Sequence, residues 1–488
     1  MLFNSYIFIF LFFPAVLITY FGLNRIRQYE LSKIALILFS FIFYGYMNYS
    51  YVLILLASVT VNYLCSYGLK KWEQNVFLKK CTGFFAIIFN LGLLFYYKYY
   101  NFFIENINNI FKQDFVLKHI ALPLGISFFT FQQISYIADR IQNKVSHYRL
   151  VDYTLFVSYF PQLIAGPIVR HGELIPQFQN NELKSFHSAN FLKGVRIFSL
   201  GLGKKILVAD ELGKVVNAGF SSINSLDTPS AAVTMLFYTF QIFFDFSAYS
   251  DMAIGIGKMM NIDLPRNFDQ PYLSASVKEF WKRWHITLNS FFTEYVYYPL
   301  GGSRCSKIIN LRNIMTVFLL SGIWHGANWT FVVWGIVNGL AICLESLISY
   351  EKLNRTVRIC ITFVFTNFAW VMFRSQSVGE ALLFYKQLFA GRVTGHITTL
   401  LGSLSGFKTK VIEYVINTLG VSDGVSTFFM VYALILLTVC VYAGMLNDTV
   451  KWVDQHKPKT AAMILLAVMV ALCVIFFSDV TVFLYFNF

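Results

Sequence analysis

FDFSAYSDMAIGIGKMMNIDLPRNFDQPYL (residues 244–273), EFWKRWHITLNSFFTEYVYYPLGGSR (279–304) and SGIWHGANW (321–329) concentrate charge, histidine and glycine within an otherwise greasy sequence. His285 sits in a basic, aromatic block with Phe280, Trp281, Lys282, Arg283 and Trp284, and His325 lies between Trp324 and Gly326 in an apolar run. An ionisable group inside apolar sequence is expensive and marks a functional site by default. Asp245, Asp251, Lys258, Asn261 and Asp263 interrupt what reads as a span. Such groups are tolerated at membrane depth only where they line a cavity or are buried in protein. Pro265, Pro271, Pro299 and the Gly301–Gly302 pair then break the helical pattern. The stretch predicts short, tilted or re-entrant helices around a cavity.

The surrounding chain sets the class. Of 488 residues, 57% are hydrophobic and 13% charged, where soluble domains carry about 25% charged residues. The chain is therefore expected to be an all-α, multi-pass integral membrane protein. Apolar runs near the ~20 residues that cross a bilayer predict spans near 5–23, 34–48, 51–69, 81–97, 119–138, 153–169, 195–219, 230–256, 314–348, 356–373, 427–446 and 460–478. The run at 314–348 is long enough to fold back or to be two segments. The first run lacks a basic leader region and a small-residue cleavage site, so it reads as a retained span. No long polar linker or fixed-period repeat divides the chain, which predicts one domain over 1–488.

The net charge is +14. The bases sit in short loops between apolar runs, the positive-inside pattern, so nucleic-acid binding is not expected. Residues 24–33, 70–80, 139–149, 278–312 and 447–459 read as cytoplasmic loops, which puts both termini outside. A basic inner face also attracts an anionic cosubstrate. The seven cysteines are scattered without a CxxC pair or a His/Cys cluster, so neither a metal site nor a disulfide framework is indicated. No G-x-S-x-G elbow and no HExxH motif is present, which removes the obvious serine-hydrolase and zinc-protease routes.

Acyl transfer needs a base for the incoming hydroxyl and donors for the oxyanion. Histidine is the usual base, and a positioned base contributes roughly 10²–10⁴-fold. His325 suits that role: Gly326 leaves room for a substrate, and Asn328 and Trp329 offer donors nearby. A core histidine satisfied by a carbonyl would leave the same trace in the sequence. His285 reads equally as a second catalytic partner or as part of an interfacial anchor. Lys278, Lys282 and Arg283 are suited to phosphates, and also to holding the loop inside. The Gly301–Gly302 pair matches no phosphate-loop fingerprint and reads as a turn.

RWHITL (283–288), YYPLGGSR (297–304) and GIWHGANW (322–329), in this order in a multi-span chain, resemble the membrane-bound O-acyltransferase family, in particular its polysaccharide-acetylating bacterial branch. The resemblance runs from MLFNSYIFIFLFFP (1–14) to FLYFNF (483–488). It implies a ring of spanning helices around a thin centre, and it maps the family's invariant histidine onto His325. It implies acetyl transfer from cytoplasmic acetyl-coenzyme A across the membrane of a bacterial cell to an exported polysaccharide. An extracytoplasmic SGNH- or esterase-like acetyltransferase and the polysaccharide synthesis machinery are the implied partners, with membrane lipid around the chain. Thr293, Glu294 and Tyr295 stand where alginate-acetylating members usually have Arg-Asp-Tyr, so the resemblance does not by itself imply alginate as the acceptor. The C-terminal aromatic signature makes Tyr485 either an acyl relay or an interfacial anchor. A D-alanyl transferase for teichoic acid and a transporter of a polysaccharide or lipid precursor are the competing readings, since broken intramembrane helices also suit transporters.

Overall fold

The computed structural model describes residues 1–348, 350–406, 408–419, 424–445, 448–479 and 483–484. Among them every regular element is a helix, and strand pairing is limited to one antiparallel bridge between Phe268 and Trp284. Among the described residues, seven helices are long and apolar enough to cross a membrane: Phe8–Arg25, Ser50–Lys71, Val76–Phe111, Thr228–Met259, Trp329–Leu347, Arg355–Arg374 and Gly424–Gly444. The protein is an all-helical, multi-pass membrane protein.

Several expected spans are shorter or broken, for local reasons. In place of a span at 119–138, helix begins only at Ile126. Pro123 lies upstream, and Gly125 holds φ +72°, where an added Cβ would stand 2.4 Å from the Leu163 carbonyl. The run at 153–169 divides at Tyr159 into Leu150–Ser158 and Phe160–Leu163. The long run at 314–348 is two helices, Lys307–His325 and Trp329–Leu347. They approach closely because a Cβ on Gly322 would meet the Phe331 carbonyl at 2.4 Å, and one on Gly335 would meet the Phe318 carbonyl at 2.4 Å. Small residues at such crossings let membrane helices come together.

One expectation fails. Asp245 and Asp251 do not interrupt a span: Thr228–Met259 is one continuous helix of 32 residues. The cost of their charge is met by partners in the preceding helical stretch. Lys205 Nζ lies 2.7 Å from Asp245 and 2.8 Å from Asp210, and Lys204 Nζ lies 2.8 Å from Asp251. A buried carboxylate that is paired leaves the backbone free to stay helical.

The chain divides into two compact units, residues 1–198 with 253–266 and residues 199–252 with 267–488. The first is built around packed phenylalanines, with Phe8, Phe43 and Phe160 in mutual edge-on and tilted contact. The second holds the aromatic core that carries both motif histidines, and all of the site described next lies within it.

Candidate active site

His285 occupies the N-cap of the short helix Ile286–Phe292 with φ +46°, the left-handed region that non-glycine residues rarely adopt. What holds it there is Asn267. The Ile286 amide donates to the Asn267 carbonyl at 2.9 Å, and the neighbouring residues Phe268 and Trp284 form the antiparallel bridge. Asn267 Oδ1 accepts from the Thr287 amide at 3.3 Å, from Thr287 Oγ1 at 2.9 Å and from His285 Nδ1 at 3.0 Å. An amide N–H can only donate, so the Asn267 atom facing this group is its oxygen, and His285 Nδ1 must carry the proton. Burial pushes the His285 imidazole below its ordinary range, to about 3, which keeps the ring neutral. A neutral ring protonated at Nδ1 has its lone pair at Nε2, the form a base or an acceptor needs.

His325 is the last residue of the helix Lys307–His325 and is 5% exposed. Its ring stands edge-on to Trp334 at 5.1 Å and to Phe373 at 5.1 Å, with Trp324 at 5.0 Å. Trp324 also lies 6.1 Å from the His285 ring, so one indole contacts both histidines. Gly326 is required by contact: a Cβ there would fall 2.1 Å from the Phe331 ring.

A cavity of about 400 Å3 opens beside this aromatic layer. Lys278, Lys282 and Arg358 supply cations to its lining, and Asn289, Thr293 and Asn310 supply polar groups. Trp281 forms part of the wall and packs edge-on against Trp334 at 5.3 Å, with its indole N–H donating to Asn338 at 3.1 Å. The cavity wall and His325 are therefore two contacts apart, through Trp281 and Trp334. The helix Val277–Arg283 that presents both lysines is anchored at its start. Ser276 Oγ accepts from the Glu279 amide at 2.9 Å, and the Glu345 carboxylate accepts from the Val277 and Lys278 amides at 2.6 and 3.1 Å. These are the orphan donors that every helix start must satisfy.

The remaining sequence-derived residues are placed differently. Arg283 does not line the cavity; its guanidinium pairs with Glu279 at 2.7 Å. Asn328 caps the helix Trp329–Leu347, accepting from the Thr330 amide at 3.0 Å and donating to the Gln376 carbonyl at 2.7 Å. Tyr485 lies outside the described residues. Gly301 and Gly302 adopt φ +104° and +58°, a turn that requires glycine. Among the described residues no group of three His, Cys, Asp or Glu side chains is arranged to hold a metal ion.

Sequence reasoning missed three contributors. Asn267 stood inside the first quoted block, yet nothing in the sequence distinguishes it from other loop asparagines. Arg358 and Glu345 come from helices read only as spans. Lys278 and Lys282, with which they share the cavity lining, are distant in the chain, so no local spacing could signal them.

Comparison with known proteins follows the same residues. The profile of the membrane-bound O-acyltransferase family matches residues 38–378. A peptidoglycan O-acetyltransferase of Helicobacter pylori is 37% identical, with all of this chain and 98% of that protein covered. A probable alginate O-acetylase of Pseudomonas aeruginosa is 38% identical over 80% of this chain and 75% of its own. A teichoic acid D-alanyltransferase of Streptococcus thermophilus is 27% identical over 46% of this chain and 56% of its own. With the matched region taking in both histidines and well over half the sequence, the chain is an acyltransferase that belongs to the membrane-bound O-acyltransferase family.

Proposed function

We propose that this protein is an O-acetyltransferase of a bacterial cytoplasmic membrane, one acyltransferase domain over 1–488, that passes acetyl from cytoplasmic acetyl-coenzyme A across the membrane to an exported polysaccharide of the peptidoglycan or alginate class. The observation that carries the reading is the cavity lined by Lys278, Lys282 and Arg358 and joined to His325 through Trp281 and Trp334. Cations in a confined polar cavity suit the phosphates of coenzyme A. The similarity to a peptidoglycan O-acetyltransferase along its whole length supports acetyl as the group moved. Similarity to D-alanyltransferases is lower and covers about half the chain.

In this reading His325 takes the proton of the attacking hydroxyl. The oxygen adds to the thioester carbonyl, the C–S bond breaks, and the thiolate leaves and recovers a proton. His285, held neutral and oriented by Asn267, assists as an acceptor through Nε2. The first acceptor is the Tyr485 phenol, and an extracytoplasmic SGNH- or esterase-like acetyltransferase carries the group onward to polymer. Replacing His325 with Ala, at unchanged membrane level, is expected to lower polymer acetate by roughly 10²–10⁴-fold, the contribution of a positioned base. Near-parental acetylation in that variant would remove His325 from the chemistry.

A further inference from the structure

The first unit holds a second polar cavity, of about 460 Å3, where the first span ends and the next helix begins. Arg27, Lys33 and Arg149 line it together with Glu30 and Asp152. Lys33 Nζ lies 2.7 Å from Asp152 and 3.0 Å from Glu30. Arg149 forks onto the two oxygens of Glu30, each contact 3.1 Å. Both carboxylates are thus already engaged.

Lys184 ends the short helix Asn181–Lys184, whose first residue lines the cavity, and it is 4% exposed. Its Nζ has no hydrogen-bond partner among the described residues; the Tyr20 ring centroid is 5.7 Å away. It feels the charges of Lys33, Asp152 and Glu30, all of which line the cavity. Burial, and then the neighbouring Lys33, hold its pKa down at about 8, while Asp152 and Glu30 pull it up. The lining thus carries three cations and two carboxylates, and Lys184 adds a fourth cation that interacts with them. Leaving a buried ammonium without compensation is costly, and a bound anion would remove that cost.

We propose that this cavity is a phosphate-binding site. Its volume is in the range of small-ligand sites, and arginine forks with point-charge lysines are the usual phosphate donors. A phosphate monoester carries about −1.5 to −2 at neutral pH, close to the two cations in excess. Phosphate oxygens are offered by a free phosphate and by the headgroup of an anionic phospholipid, whose phosphodiester carries one negative charge and so offsets only part of the excess. The basic loop 24–33 reads as cytoplasmic, where anionic lipid collects.

The test uses the full chain purified in a neutral detergent, and reads the thermal midpoint at fixed ionic strength. Phosphatidylglycerol, phosphatidylcholine, inorganic phosphate and chloride are titrated separately. The expected result is a saturable rise with phosphatidylglycerol, with inorganic phosphate, or with both; whichever acts names the source. Lys184→Met should weaken that apparent affinity at least tenfold. Arg27 is exposed, so Arg27→Gln is expected to fold and to weaken it as well. If Lys184→Met does not fold, Arg27→Gln decides. Equal shifts with phosphatidylcholine or chloride, no shift at all, or parental affinity in the folded variants would overturn the site.

Discussion

His285 and Asn267 are joined by a 3.0 Å hydrogen bond whose direction is fixed by a third residue, Thr287. Three donors converge on the one Asn267 oxygen. Removing that oxygen takes an acceptor from all three donors in a buried place, a loss of about 1–3 kcal/mol for such a group. It also frees the imidazole to change tautomer. Asn267→Ala is expected to lower acetyl transfer by roughly 10- to 100-fold, on the same energy scale. Asn267→Asp keeps an acceptor and should retain more activity than Asn267→Ala. The measurement is polymer-bound acetate per amount of membrane-inserted protein, and equal activity in Asn267→Ala and the parent would show that this contact does not serve catalysis.

Lys278 and Lys282 line the cavity, whereas Arg283 pairs with Glu279. Charge-assisted hydrogen bonds contribute about 1.5–3 kcal/mol. Lys278→Gln and Lys282→Gln should each raise the KM for acetyl-coenzyme A by roughly 10- to 100-fold on that scale, with kcat little changed. Arg283→Gln should have a smaller effect. Arg358→Gln should behave like the lysine variants. A fall in kcat at constant KM in the lysine variants would argue against donor binding there.

The turn after His285 tests the orientation of the whole second unit. Ser306 lies at the start of the helix Lys307–His325, beside the Gly301–Gly302 turn. A cysteine placed at 306, in a chain lacking its native cysteines, should react with an impermeant maleimide only after cells are opened. Reaction in intact cells would put this block, and the donor cavity beside it, on the outer face.

The fold class was legible because it is written in composition, and the candidate site because it is written in local anomalies. Thirteen per cent charge spread over 488 residues leaves few alternatives to a membrane bundle. His325 and His285 stood out because each breaks an apolar or aromatic context. What could not be read was compensation between distant residues. Asp245 and Asp251 read as breaks because their lysines lie 40 and 47 residues earlier. Asn328 read as a donor for substrate because an N-cap asparagine and a catalytic asparagine look identical until the helix start is known. Two expected spans are shorter than read for a related reason: hydropathy does not register a left-handed glycine such as Gly125, or the break at Tyr159.

The C-terminal segment offers the last prediction. The Leu484 amide donates to Asp245 at 2.8 Å, and Phe483 is buried against Tyr249, with ring centroids 4.9 Å apart. Lys205 Nζ stands 4.5 Å from the centre of the Phe483 ring while it pairs with Asp245. Residues 483 and 484 are thus tied to a buried ion pair, and Tyr485 follows directly in the chain. A phenol is a competent acyl acceptor, and its ester is a reactive donor because phenoxide, with pKa ~10, leaves more readily than an alkoxide. A two-step covalent relay through Tyr485 predicts that Tyr485→Phe, which keeps the ring and removes only the hydroxyl, abolishes acetate on polymer at normal protein level. It also predicts that membranes lacking the extracytoplasmic partner accumulate labelled acetyl on the C-terminal peptide, and that hydroxylamine releases it. Parental polymer acetylation in Tyr485→Phe would leave the tail as an aromatic anchor at the membrane boundary.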